Sequence, residues 1–344
     1  MEILIGLLII AVGSFCQSSS YVPIKKVREW SWESFWLTQG VFAWLVFPVL
    51  GALLAVPAGH SLGELITADN AFKIWMTILF GVLWGIGGLT FGLSMRYLGV
   101  ALGQSISLGT CAGLGTIMGP VMLHIFYPEA GHLEKLTAAV LIGVVVTLVG
   151  IAIIGVAGGM KASSLSEEEK QAAVKDFNFP KGILIALLAG FMSACFNMGL
   201  EFGGSLHFPE TGDMFKTLPG TMFVTLGGFV TNALYCLWQN AKNKSFADYG
   251  KRSLWANNIL FCALAGGLWY SQFFGLSLGK GFLTESPTLT TFAFCILMAL
   301  NVTFSNVWGI LLKEWKGCSK KTIAVLVVGI VVLIASTFIP ELLK

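Results

Sequence analysis

Charge-free apolar segments recur along the chain at short intervals. Stretches lacking Lys, Arg, Asp and Glu run from Ile3 to Ile24, Ser34 to Gly63, Ile74 to Met95, Tyr97 to Pro128 and Leu136 to Met160, then from Gly182 to Leu200, Thr217 to Ala241, Ser253 to Gly279, Ser286 to Leu312 and Thr322 to Pro340. A helix needs roughly 20 apolar residues to cross about 30 Å of hydrocarbon. Each stretch reaches or nearly reaches that length, so the pattern predicts ten transmembrane helices.

The segment Gly81–Gly99, GVLWGIGGLTFGLSMRYLG, carries six glycines in nineteen positions. A phosphate-binding loop would need Lys and Ser or Thr after its glycines, and no G-x-x-x-x-G-K-[ST] occurs in the chain. Gly81, Gly85, Gly88 and Gly92 instead recur at helical spacing on one face. In lipid, small residues on one face let neighbouring helices approach closely. The glycines predict a packing seam.

Composition agrees with this class. The chain has 344 residues, 56% of them hydrophobic and only 11% charged, against about 25% charged in soluble domains. The N-terminal run lacks a basic leader, carrying Glu2 and placing Lys25, Lys26 and Arg28 after it, so it reads as a retained first helix rather than a cleaved signal. Six of seven cysteines (Cys16, Cys111, Cys195, Cys236, Cys262, Cys295) fall within the apolar stretches without a C-x-x-C pair, which argues against a disulfide framework.

Charge sets the expected orientation. With the N-terminus outside, Lys25, Lys26, Arg28, Arg96, Lys161, Lys170, Lys175, Lys181, Lys242, Lys244, Lys251, Arg252, Lys313, Lys316, Lys320 and Lys321 share one side, leaving only Lys73, Lys135, Lys216, Lys280 and Lys344 opposite. The positive-inside bias makes the first group cytoplasmic and leaves both termini outside. The net charge of +3 is accounted for by this set, which leaves little reason to invoke nucleic acid.

The longest charged connection, 161–181, divides the chain into 1–160 and 182–344. The halves echo one another. FGLS at Phe91 returns at Phe274, LFG at Leu79 matches LFC at Leu260, Ser14-x-Cys16 matches Ser193-x-Cys195, and AVLIGVVV at Ala139 matches AVLVVGIVV at Ala324, at offsets of 183, 181, 179 and 185 residues. Five spans per half is odd, so the second copy enters the membrane from the opposite side. The expected fold is an all-α membrane protein of ten transmembrane helices arranged as two inverted five-helix repeats. Such repeats suit a secondary transporter, in which one central site opens to either face in turn.

Four segments carry a resemblance: YVPIKKVREWSWE (Tyr21–Glu33), LFGVLWGIGGLTFGLSMRYLG (Leu79–Gly99), GGLWYSQFFG (Gly266–Gly275) and LLKEW (Leu311–Trp315). They resemble the L-rhamnose:proton symporter family of the drug/metabolite transporter superfamily. The resemblance implies a multi-pass inner-membrane importer that couples a 6-deoxyhexose to a proton without ATP or another cofactor, as a monomer or weak dimer. The polar positions Gln17–Ser20 and Lys280–Pro287 differ from a typical member, which bears on the exact sugar.

A neutral sugar requires amide or hydroxyl partners and an aromatic plate near mid-membrane. Trp84 and Trp269, with Tyr270 and Gln272, are the aromatic and polar candidates; helix packing is the plainer role for each. Trp30, Trp32, Trp255 and Trp315 lie at span ends, as interfacial belt residues do. Buried amides form a second set, Gln17, Asn197, Asn232, Asn301 and Asn306, which could equally bind helices together. Gln17 and Asn197 occupy related stretches of spans one and six. For proton coupling, Glu201 ends the sixth span, where partial desolvation favours the protonated form; a hydrated loop position is the alternative. Glu285 and His124 are weaker candidates, and Arg96 and Lys280 fit helix caps or gates.

An embedded enzyme is disfavoured, because H-E-x-x-H and paired metal ligands are absent from the sequence. Other superfamily substrates compete more closely, among them another sugar, a nucleotide sugar or an amine, as does uncoupled facilitation. Nucleotide sugars call for central Arg or Lys and cations for a deep carboxylate, and mid-span positions offer neither.

Overall fold

The computed structural model describes residues 1–98, 100–164, 178–313 and 315–343. The middle of the expected 161–181 linker, including Lys170 and Lys175, lies outside the described residues, as do Lys344 and the side chain of Arg96. Among the described residues the chain is all-helical, without strands. The long helices are α1 (Glu2–Ser19), α2 (Trp32–Leu53), α3 (Ala68–Leu98), α4 (Val100–Phe126), α5 (Ala138–Ser163), α6 (Phe179–Gly203), α7 (Leu218–Asn243), α8 (Trp255–Gly281), α9 (Pro287–Leu311) and α10 (Lys320–Ser336).

Among the described residues, nine helices are long and apolar enough to cross a membrane, and they overlap the first nine charge-free stretches. The tenth is a helix of 17 residues, about 26 Å at 1.5 Å per residue. It ends at Ser336, four residues before Pro340, which has no N–H to offer the Ser336 carbonyl, and a short turn, Ile339–Leu342, follows. Hydroxyls set the starts of several helices. Thr137, Ser286 and Ser319 accept from the backbone N–H three residues on, satisfying donors that the first turn leaves orphaned.

The α2 helix contains one irregularity. Residues Phe42–Val46 form a π turn between the α segments Trp32–Val41 and Phe47–Leu53. Pro48 has no N–H to offer the Trp44 carbonyl, and the ladder widens so that Phe47 N–H bonds to Phe42 O. The extra residue rotates the remainder of α2 by about 100° around its axis. Such turns are frequent at functional sites.

The chain divides into two compact units, Met1–Gly85 with Gly199–Thr284, and Ile86–Met198 with Glu285–Lys344. Each draws helices from both halves of the sequence. In the first, α1 and α8 meet through glycines: a methyl on Gly6 would lie 2.8 Å from Gly279 O, and one on Gly13 2.8 Å from Ser271 O. The Gly81–Gly92 row is a seam over part of its length. Gly81 abuts Val224 and Gly227, and Gly85 abuts Thr231 and Gly228, whereas Gly88 and Gly92 have nothing within 4 Å of a built Cβ. The expected four-residue seam is therefore two residues long. In the second unit, Gly150 packs on Leu333 and Gly329 on Ile154, and Phe292 seats against Gly143.

Candidate functional site

In the first unit, α2, α3 and α8 bring four indoles into contact. Trp36 meets Trp44 edge-on at 5.8 Å between ring centroids. Trp44 in turn meets Trp84 at 6.0 Å and Trp269 at 6.0 Å, both nearly perpendicular. Trp84 and Trp269 lie 5.6 Å apart at 31°, and Phe273 closes the row at 5.2 Å from Trp269. Perpendicular and offset rings place positive edges on negative faces, which favours this arrangement over a flat stack. Trp44 is 5% exposed; Trp84 and Trp269 are half-buried.

Backbone and polar groups fix these rings. Gly228 of α7 lies directly under the Trp84 ring, where a Cβ would overlap it. One turn on, Asn232 Oδ1 accepts from Trp36 Nε1 at 3.1 Å, and its Nδ2 donates to Gly228 O at 2.9 Å. The π turn carries Trp44, so the irregularity of α2 sets where its ring falls.

Two deeply buried polar atoms of α2 find no hydrogen-bond partner among the described residues: Trp44 Nε1, a donor, and Gln39 Oε1, an acceptor. Gln39 is 3% exposed. Orphaned polar groups cost about 1–3 kcal/mol each when buried. Trp44 supplies an indole donor within the ring row, Gln39 an amide acceptor, and each is a group that a hydroxyl can satisfy.

The structure therefore joins two sequence candidates, Trp84 and Trp269, in direct ring contact. Gln272 sits one turn beyond Trp269, 3% exposed, and its Nε2 donates to Trp269 O at 3.1 Å. Tyr270 points elsewhere: its hydroxyl lies against Gly51 and its ring is tilted against Phe274 at 6.4 Å. Gln17 is half-buried on α1, with Oε1 taking a long bond of 3.4 Å from Ser18 Oγ. Asn197 and Asn301 belong to the other unit. There Asn197, 2% exposed, donates to Gly115 O at 2.7 Å, and Asn301 is 9% exposed on α9. Asn306 donates to Val302 O within its own helix at 2.9 Å.

Glu201, in the last turn of α6, is 3.9 Å from Lys280 Nζ of α8, with side chains 20% and 16% exposed. Neither is a free loop residue. Glu285 is exposed and His124 half-buried. Among the described residues, no group of three or more His, Cys, Asp or Glu side chains is placed to hold a metal ion.

Sequence reasoning missed Trp36, Trp44 and Gln39. The available signal was Pro48 within a predicted span, four residues after a tryptophan. Trp32, assigned to the interfacial belt, is indeed 44% exposed, yet it also stacks on Trp36 at 5.4 Å and 17°, extending the row.

Comparison with known proteins places the chain in a family. Residues 1–342 match the profile of the L-rhamnose-proton symport protein (RhaT). The chain is 31% identical over 341 residues to a protein named L-rhamnose-proton symporter from Yersinia pestis (strain Pestoides F), covering 96% of this chain and 95% of that one. The same identity and coverage hold for the namesake from Yersinia pseudotuberculosis serotype O:1b (strain IP 31758). With the family profile matching from residue 1 to residue 342, the chain is a member of the L-rhamnose-proton symport family.

Proposed function

We propose that the protein imports L-rhamnose or a related 6-deoxyhexose together with protons across the inner membrane, by alternating access. The observation that carries the sugar reading is the indole row with its orphaned Trp44 Nε1 and Gln39 Oε1. In this reading Trp84 and Trp269 offer ring faces to the C–H side of the sugar, and the indole N–H and the amide oxygen meet its hydroxyls. Gln272 and Gln17 complete the polar set in the same unit, and Tyr270 shapes α8 against α2. In the other unit, Asn197 and Asn301 are the polar candidates.

The architecture is ten helices, with α10 as a short tenth span, in two inverted repeats, 1–160 and 182–344, and both termini outside. The four ordered sequence echoes and the asymmetry of Lys and Arg support it. Glu201 is the coupling group. Protonation removes its charge and loosens Lys280, so the ion pair reports proton occupancy. One proton moving down 100 mV releases about 2.3 kcal/mol, which supports about forty-fold accumulation of a neutral solute.

The test is uptake of labelled L-rhamnose into proteoliposomes with an inward proton gradient. Gradient-stimulated uptake abolished by a protonophore is expected. Uptake indifferent to the gradient would leave a facilitator, and absence of rhamnose uptake with transport of another sugar, nucleotide sugar or amine would overturn the substrate.

A further inference from the structure

The segment Trp30–Glu33, WSWE, is largely unused by the indole row, yet its polar groups enter a buried cluster. Ser31 N and Ser31 Oγ donate to Asp248 Oδ2 at 2.7 and 2.8 Å. The Ser34 hydroxyl, fully buried, lies 3.0 Å from both Asp248 Oδ2 and Asn240 Oδ1. Glu33 Oε1 accepts from Asn243 Nδ2 at 2.9 Å and from Ser245 Oγ at 2.6 Å. Ser245 Oγ is also 3.1 Å from Asn240 Oδ1, and Tyr249 OH donates to Ser34 O at 3.0 Å. Every one of these bonds ties the start of α2 to the end of α7 or the turn after it, except Ser245 to Asn240, which braces that end itself.

Glu33 and Asp248 are 6% and 9% exposed. Carboxylates this hidden are costly to desolvate and add little net stability. They do define geometry. Helix contacts in lipid rest on van der Waals packing, and an apolar contact tolerates small slips along the axis. A ladder of charge-assisted bonds does not, because each has a narrow range of length and angle.

The same helix pair holds the indole row. Asn232, Cys236 and Asn240 are all buried and recur every four residues on α7, so one face of α7 carries the cluster at one end and the Trp36 anchor at the other. Ser34 and Trp36 lie two residues apart near the start of α2. We infer that the Ser31–Glu33–Ser34 cluster with Asn240, Ser245 and Asp248 is a positioning device: it fixes the register of α2 on α7, and so the place where Trp36 reaches Asn232 and Trp44 meets Trp84 and Trp269. These are positioning residues, acting through the rings, and their effect on transport rests on the sugar reading above.

The test combines Ser34→Ala, a mild change, with Asp248→Asn, and reads each twice in detergent-purified full-length protein. The first readout is near-UV circular dichroism of the coupled indoles, which needs no sugar. The second, after reconstitution into proteoliposomes, is KM and Vmax for L-rhamnose counterflow. Loss of a hydrogen bond to a charged group predicts a KM raised about tenfold with Vmax little changed, together with a clear loss of the indole signal. Asn232→Leu should reproduce both. If Asp248→Asn does not fold, Ser34→Ala decides with the same readouts. An unaltered indole spectrum in a folded variant, with only thermal stability reduced, overturns the inference. If the spectrum changes but KM does not, and Trp84→Leu also leaves KM unchanged, the register device stands and the sugar reading fails.

Discussion

Replacing Gly228 by alanine tests the indole row through a single methyl group. The added Cβ would fall on Cζ3 and Cε3 of Trp84, with Cη2 at 3.3 Å. The ring cannot simply swing away, because Trp44 stands perpendicular to it at 6.0 Å and Trp269 lies at 5.6 Å. Overpacking of this kind costs about 1–3 kcal/mol, and disturbing two aromatic contacts costs about 0.5–1.5 kcal/mol each. Alanine returns about 1 kcal/mol through helix propensity, leaving a net penalty of about 1–5 kcal/mol. If Trp84 forms the sugar wall, the KM for L-rhamnose counterflow rises at least about fivefold, at about 1.4 kcal/mol per decade. The control is Gly88→Ala on the same helix as Trp84, where a Cβ meets nothing within 4 Å; its melting temperature should hold or rise. A Gly228→Ala protein that melts lower but keeps KM within about twofold of the parent would refute the reasoning, since the ring would then be packing alone.

Glu201→Gln should retain rhamnose counterflow and lose gradient-driven accumulation, because the neutral amide mimics the protonated state permanently; accumulation at the parental level would clear Glu201 of coupling. Trp269→Ala and Gln272→Ala should each weaken sugar binding by about tenfold or more, measured by ligand-induced thermal shift, and unchanged affinity would assign both to helix packing. Burial opposes ionisation of Asp248, but bonds from Ser31 N–H, Ser31 Oγ and Ser34 Oγ, with Lys251 nearby, outweigh it and hold its carboxyl below the ordinary aspartate range. Its contribution to stability is therefore complete above about pH 4 and is lost as pH falls through the lowered folded value. Asp248→Asn should flatten the acid limb of a melting-temperature profile, and an identical limb in the variant would show that other groups set it.

The helical class, nine of the spans and the family were legible in the amino-acid order, because lipid imposes a one-dimensional rule; the ends were less so, since the long helix in the stretch read as Ser34–Gly63 stops at Leu53 and the one read from Ile74 starts at Ala68. Backbone groups must be satisfied within the segment, and about 20 apolar residues are needed to cross. Trp84 could be singled out as a candidate by a related rule, since depth along a helix comes from counting residues at a fixed rise. Which side chains face one another is not a one-dimensional property. Tyr270 and Trp269 are neighbours in the chain, yet the helix turns one to Gly51 and the other to Trp84. Gly81 and Gly88 look equivalent in the repeat, yet only the first has a helix against it. Trp44 reaches the centre of the row through a π turn forced by Pro48, and Glu33 and Asp248 meet a common polar cluster across more than two hundred residues of chain. Apolar length determined which segments span; only the packing of helices distant in sequence decided which faces meet, since that depends on shapes and polar partners that no single segment contains.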